Sequence, residues 1–241
     1  SVTPGTLSGF IPGETVVVSD ATGTFDTKDV GTAKKVTVSY TLADGTGGGL
    51  ASNYSLADTV AAADITPASL IVSATADNKV YDGGTSATVH LSVTPLGSDS
   101  PGAGSTSALF SDKDVGAGKT VTVGVSLAGR DAGNYSTDAF ITTTADITPK
   151  DASVTPDAAA KAYGASDPPL SGPLTGFEGD GRTAAYSRSP GESVSGGPYT
   201  ISAVLSPSAA LGNYTITYHT ADFTITPADQ TISFSAPSGK T

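Results

Sequence analysis

Apolar residues along this chain recur with a period of two. Val121, Val123, Val125 and Leu127 fall on one face of the segment 119–127 with Thr and Ser between them, the spacing of a strand with one buried side. Similar short segments lie at 69–75, 86–94, 107–111 and 139–147. Turn clusters separate them at Asp82-Gly83-Gly84, Ser98 to Ser105 and Gly129 to Gly133. No stretch carries apolar positions at i, i+3 and i+4 for a useful length. The pattern predicts about six or seven short strands in roughly 80 residues, an all-β sandwich of immunoglobulin-like size. A β-grasp-like unit is the alternative, and it needs a helix that the pattern does not supply.

The same pattern returns along the chain. Asn-Tyr-[Ser/Thr] occurs at Asn53-Tyr54-Ser55, Asn134-Tyr135-Ser136 and Asn213-Tyr214-Thr215, at spacings of 81 and 79 residues. Each is followed by Ile-Thr-Pro, ending at Pro67, Pro149 and Pro227. Lys28-Asp29-Val30-Gly31 and Val36-Thr37-Val38 recur 85 residues later as Lys113-Asp114-Val115-Gly116 and Val121-Thr122-Val123. Lys79-Val80-Tyr81-Asp82-Gly83 is echoed by Lys161-Ala162-Tyr163-Gly164. The chain therefore reads as a tandem array: 1–67, lacking its first strand; 68–149, complete; 150–227, of a second type; and 228–241, the first strand of a further repeat. Proline fixes its own φ and drives the preceding Thr into an extended conformation, so each unit hands over stiffly to the next. The expected shape is an elongated rod.

Composition narrows the function. Gly and Pro number 29 and 15 of 241 residues, and of the 23 acidic residues 20 are Asp, which favours turns over helix interiors. Apolar runs stay as short as Val16-Val17-Val18 and Leu70-Ile71-Val72, far below a membrane span. The net charge is −11 and the nine Lys and three Arg are scattered, which argues against nucleic acid as a partner. No Cys is present, so there is no thiolate chemistry and no Cys-based metal site. The chain opens at Ser1 without a charged or apolar leader and is expected to be a cut or processed fragment.

Lys79-Val80-Tyr81-Asp82-Gly83, Lys113 to Val123, Gly133-Asn134-Tyr135 and Ala145-Asp146-Ile147-Thr148-Pro149 together resemble the YDG-type repeat of large bacterial surface proteins. Lys161-Ala162-Tyr163-Gly164, Asp167-Pro168, Gly212 to Thr217 and Phe223 to Pro227 resemble the related MBG-type repeat. The resemblance covers nearly the whole chain. It implies a structural role at the bacterial cell surface or outside the cell, as in filamentous-haemagglutinin-like adhesins. The first unit departs from the pattern in having no Lys-x-Tyr-Asp-Gly strand.

Candidate sites are few. His90 and His219 sit in different units with no Cys and no Ser-His-Asp arrangement, so no catalytic residue and no enzyme activity is expected. Asp26, Asp29, Asp112, Asp114 and Asp180 are turn residues first and calcium ligands second, since none lies in an Asp-x-Asp-x-Asp-Gly loop. No other metal or cofactor is expected. Asn53, Asn134 and Asn213 satisfy Asn-x-[Ser/Thr]. Glycosylation competes there with a turn that feeds Tyr54, Tyr135 or Tyr214 into the core, its hydroxyl tying down a loop. Tyr81 and Tyr163 read likewise as core residues before a tight turn. Phe177, Arg182, Tyr186 and Arg188 form the one aromatic–arginine concentration, read either as an ordinary loop or as a patch for a host or matrix glycan or protein. The expected partners are the neighbouring repeats of the same chain. Head-to-tail self-association is a second expectation: the tail 228–241 of one molecule adds as a strand to the incomplete first unit of the next, against the plainer reading of a window cut from a longer array.

Overall fold

The computed structural model describes residue 3, residues 5–179 and residues 181–235. In the first repeat β1 (Val16–Phe25), β2 (Gly31–Asp44) and β3 (Thr59–Ile65) form an antiparallel meander. The second repeat holds β4 (Ala68–Ser69), β5 (Ile71–Ala76), β6 (Lys79–Val80), β7 (Val89–Thr94), β8 (Pro101–Phe110), β9 (Gly116–Gly129), β10 (Tyr135–Ser136) and β11 (Phe140–Thr148). The third holds β12 (Lys150–Val154), β13 (Ala159–Ala162), β14 (Leu174–Thr175), β15 (Thr183–Arg188), β16 (Tyr199–Ser206), β17 (Tyr214–Tyr218) and β18 (Ala221–Thr226). Among the described residues the only helical pieces are short 3₁₀ turns, so the helix a β-grasp unit needs is missing and the sandwich-like all-β reading stands.

The second and third repeats share one plan. Their four-stranded sheets run β6-β11-β9-β8 and β13-β18-β16-β15. In each, the Lys-x-Tyr strand (β6, β13) pairs parallel with the last strand of its own repeat: Lys79 opposite Ile147, and Lys161 opposite Ile225. The second pairing is also parallel and joins the first strand after Ile-Thr-Pro to the Asn-Tyr strand. Ala68 lies opposite Tyr135, and Lys150 opposite Tyr214. The first repeat has neither partner, and its residues 54–58 form no strand.

Contacts divide the chain into two compact units, one made of 1–73, 91–106 and 125–141 and the other of 74–90, 107–124 and 142–241. The first buries Val16, Val36, Val38, Leu70 and Tyr135. The second has the larger core, in which Tyr81, Val121, Val123, Ile147, Val154, Ile201 and Phe223 are at most 1% exposed. Tyr199, Ile201, Phe223 and Ile225 pack as one cluster, and full burial of a side chain such as Phe223 contributes about 2–3 kcal/mol. Val125 and Leu127 continue the face of Val121 and Val123 but are only half-buried.

One strand begins earlier than the pattern predicts. Ser98 to Ser105 reads as a turn, yet β8 starts at Pro101. The turn residues serve a close approach instead: Gly129, at φ 93°, would carry a Cβ only 3.0 Å from the Ser100 carbonyl oxygen. Proline is tolerated there because it is the first residue of the strand.

Candidate functional site

The repeated Asn-Tyr sequence forms the same local structure three times. A 3₁₀ turn covers 51–53, 132–134 and 208–213, ends on Asn53, Asn134 or Asn213, and delivers the following Tyr in extended backbone with φ between −124° and −130°. Each tyrosine hydroxyl then accepts a backbone N–H from a loop far upstream. Tyr54 accepts Ile11 N–H at 3.3 Å, Tyr135 accepts Leu96 N–H at 3.0 Å, and Tyr214 accepts Glu178 N–H at 3.0 Å. In the first two repeats the hydroxyl also donates to a carboxylate three residues further on, Glu14 and Asp99, both at 2.9 Å. A buried N–H left unpaired costs about 1–3 kcal/mol, so each hydroxyl fixes its loop to the start of the Asn-Tyr strand.

The asparagines reach into the preceding repeat. Asn134 Oδ1 accepts Val30 N–H at 2.9 Å, and its Nδ2 donates to Asp29 Oδ1 at 3.1 Å. Asn213 Oδ1 accepts Val115 N–H at 2.9 Å, and its Nδ2 donates to Asp114 Oδ1 at 2.9 Å. Both ends of one planar amide are thus used on one Asp-Val pair, and the clasp is the same at both joints. Lys28 adds ion pairs to Asp99 and Asp131 at the first joint. There the Ser100 N–H, and after it Lys28, hold the Asp131 carboxyl below its usual range. A cleft of about 430 Å³ lined by Lys28, Val30, Leu96, Asp99, Asn134 and Tyr135 remains beside this clasp.

The two Lys-x-Tyr tyrosines differ. Tyr81 is 1% exposed, with the Tyr214 ring of the following repeat edge-on at 5.3 Å. Tyr163, expected in the core, is instead 57% exposed. Both follow a short parallel strand, so the difference lies in what comes next in the chain: among the described residues no ring covers Tyr163 as Tyr214 covers Tyr81. Of the tyrosines in the Asn-Tyr turns, Tyr135 and Tyr214 are buried and Tyr54 is half-buried.

The four residues expected to form a single ligand patch separate into two pairs. Phe177 packs on Tyr214 at 4.9 Å, and the Arg182 guanidinium lies 6.0 Å from the same ring while donating to the Pro207 carbonyl. Tyr186 donates to the Gly172 carbonyl at 2.7 Å, next to a surface depression shared with Arg188. Arg188 is turned inward. Its guanidinium stacks over Phe223 at 4.7 Å and Tyr199 at 5.4 Å, and pairs with Asp167 and Glu192. Lys161, its side chain 5% exposed, pairs with the same two carboxylates at 2.7 and 2.6 Å. Arg188 first and Lys161 second hold the Asp167 carboxyl down to about 2, and Lys161 and then Arg188 hold Glu192 low. Two cations matched to two ionised carboxylates brace a loop. They leave no protonated acid and no free base for proton transfer.

The remaining candidates have local partners. Asp26 Oδ1 accepts Thr27 N–H, while Asp112 accepts Asp114 N–H and pairs with Lys119, which holds its carboxyl low. Asp29 and Asp114 are the acceptors of the two clasps, and Asp180 lies outside the described residues. No group of three or more metal-ligating side chains occurs among the described residues. His90 pairs with Asp77 at 3.2 Å on the surface, and the His219 backbone N–H donates to the Val154 carbonyl. Asn213 is 5% exposed and both Asn134 and Asn213 spend their amide nitrogens on aspartates, so turn and clasp account for them where glycosylation was the competing reading. Asn53 is exposed. The halves of each clasp are separated by 98 to 105 residues. Their shared periodicity was the available signal, because Asp29 and Asp114 recur in step with Asn134 and Asn213.

Short-stranded repeats, each locked to the previous one through an Asn-Tyr turn, define a tandem β-repeat protein. The chain belongs to the YDG domain family, whose profile matches residues 1–62 and 66–146, and residues 152–224 match the MBG domain of the YGX type. No curated protein and no solved structure matches the chain. No helix among the described residues is long and apolar enough to cross a membrane.

Proposed function

We propose that the chain is a stiff spacer segment of a bacterial extracellular adhesin, whose product is reach rather than chemistry. The observation that carries this reading is the recurrence of one clasp, Asn134 on Asp29-Val30 and Asn213 on Asp114-Val115, at two successive joints. A binding or catalytic module has no reason to repeat the same fastening at each boundary, whereas a spacer needs every joint held in the same way. The direct Thr-Pro handover at Pro67 and Pro149 adds local stiffness to each joint. Net negative charge keeps neighbouring copies apart in solution. The reading includes no catalytic step.

Small-angle scattering of the dilute chain tests it. A compact chain of this length has a radius of gyration of about 18 Å. A spacer gives a value well above that, with a pair-distance distribution skewed to long vectors. A symmetric distribution near 18 Å overturns the proposal, and so does broad scattering typical of freely hinged beads.

A further inference from the structure

We propose that residues 228–232 of one molecule add as a parallel strand to residues 54–58 of a second copy, with Ala228 opposite Tyr54. This deepens the spacer reading by naming its end-to-end partner.

The register comes from the two joints already inside the chain. The first residue after Ile-Thr-Pro pairs with the tyrosine of the next Asn-Tyr turn in both cases, Ala68 with Tyr135 and Lys150 with Tyr214. In the third repeat the ladder continues for five pairs, ending at Val154 opposite Tyr218. The equivalent residue after the last Ile-Thr-Pro is Ala228, and the remaining Asn-Tyr turn is that of Tyr54. Both halves of this third pairing are present, and neither has a strand partner among the described residues. Residues 54–58 form no strand, and 228–235 are likewise in no strand.

Side chains point the same way. Ile232 occupies the position of Val154, which is fully buried, yet Ile232 is 79% exposed; Phe234 beyond it is 89% exposed. On the receiving side Leu50 and Leu56 are 49% and 36% exposed. Tyr163 matches Tyr81, and in the second copy Tyr54 matches Tyr214, so the exposed Tyr163 ring meets Tyr54 as Tyr81 meets Tyr214. Two departures make this joint weaker than those within the chain. Gln230 stands where Leu70 and Ala152 are buried, and the third repeat has no Lys-Asp-Val-Gly turn for Asn53 to clasp. Association is therefore reversible and depends on concentration.

Sedimentation velocity and equilibrium of the full chain, from about 5 µM to about 500 µM, test the proposal. The weight-average mass rises from the monomer value of 23.7 kDa with concentration. The double variant Gln230→Pro, Thr231→Pro removes consecutive N–H donors from the added strand, so it blocks the ladder whichever edge faces the partner. Both residues are exposed and outside any strand, so its melting temperature is unchanged while association is lost. A synthetic peptide of residues 226–235 caps the first repeat and returns the wild type to monomer. Asn53→Ala associates as the wild type does. A chain that stays monomeric throughout overturns the proposal, as does an oligomer that survives the proline pair or ignores the peptide. None of these results touches the dilute-solution scattering that tests the spacer reading.

Discussion

Replacing Asn213 by Asp is the sharpest probe of the joint. The substitution keeps the Oδ acceptor for Val115 N–H but puts a carboxylate oxygen where an amide nitrogen stood 2.9 Å from Asp114 Oδ1. A hydrogen bond to a charged acceptor, worth about 1.5–3 kcal/mol, is lost. Like-charge repulsion adds about 1 kcal/mol after the two carboxylates rotate apart into water. The total of roughly 3 kcal/mol lowers the melting temperature by about 6–12 °C. The loss is specific to protonation. A carboxylate facing another binds its first proton above the ordinary carboxylate range, and the shared proton then restores a donor between the two residues. The gap between Asn213→Asp and wild type, each measured at the same pH by scanning calorimetry, must shrink as the pH falls from 7 toward 4. Comparing at equal pH cancels the acid losses that both proteins share. Equal melting temperatures at pH 7, or a gap that is flat or widens toward pH 4, refutes the clasp as a source of joint stability.

Ala33 has φ 51° with its N–H on Asp64 Oδ1, while the equivalent Gly118 has φ 60° with its N–H on Asp146 Oδ1. Ala33→Gly should therefore stabilise by about 0.5–1 kcal/mol and Gly118→Ala destabilise by about 1 kcal/mol in denaturant titrations, since a Cβ at Gly118 meets nothing within 4 Å and only the backbone is strained. The Asp167 and Glu192 carboxyls are depressed, so the stability they lend the third repeat is complete above the ordinary carboxylate values. It is lost as the pH falls from 3.8 toward about 2 for Asp167. A carboxyl-carbon NMR titration of Asp167 should show a midpoint near 2 that moves upward in Arg188→Gln; a midpoint at 3.8 in the intact protein contradicts the cluster.

Much of this architecture is visible in the sequence because a strand with one buried face writes its period directly into the residues. Val121 and Val123 are fully buried, as their alternation predicts. The start of β8 is hidden because Pro101-Gly102-Ala103-Gly104 has turn composition, and only the neighbouring strand makes it extended. Tyr163 is misread for a different reason: its burial depends on a ring supplied by whatever follows, which its own surroundings do not encode. The clasps escape a local reading because Asp-Val and Asn-Tyr each look complete as turns, and the bond between them spans about a hundred residues. Arg188 looks like a surface cation until Phe223 and Asp167 are brought to its two sides.

The clasp asks little of its neighbours. On one side it needs an aspartate and a backbone N–H, and on the other a single amide, and it accepts an MBG-type repeat after a YDG-type one as readily as one YDG-type repeat after another. A gene segment one period long can therefore be duplicated, deleted or exchanged between types without redesigning the boundary. Length becomes a trait that recombination adjusts in whole steps, and the loops between boundaries are left free to diverge.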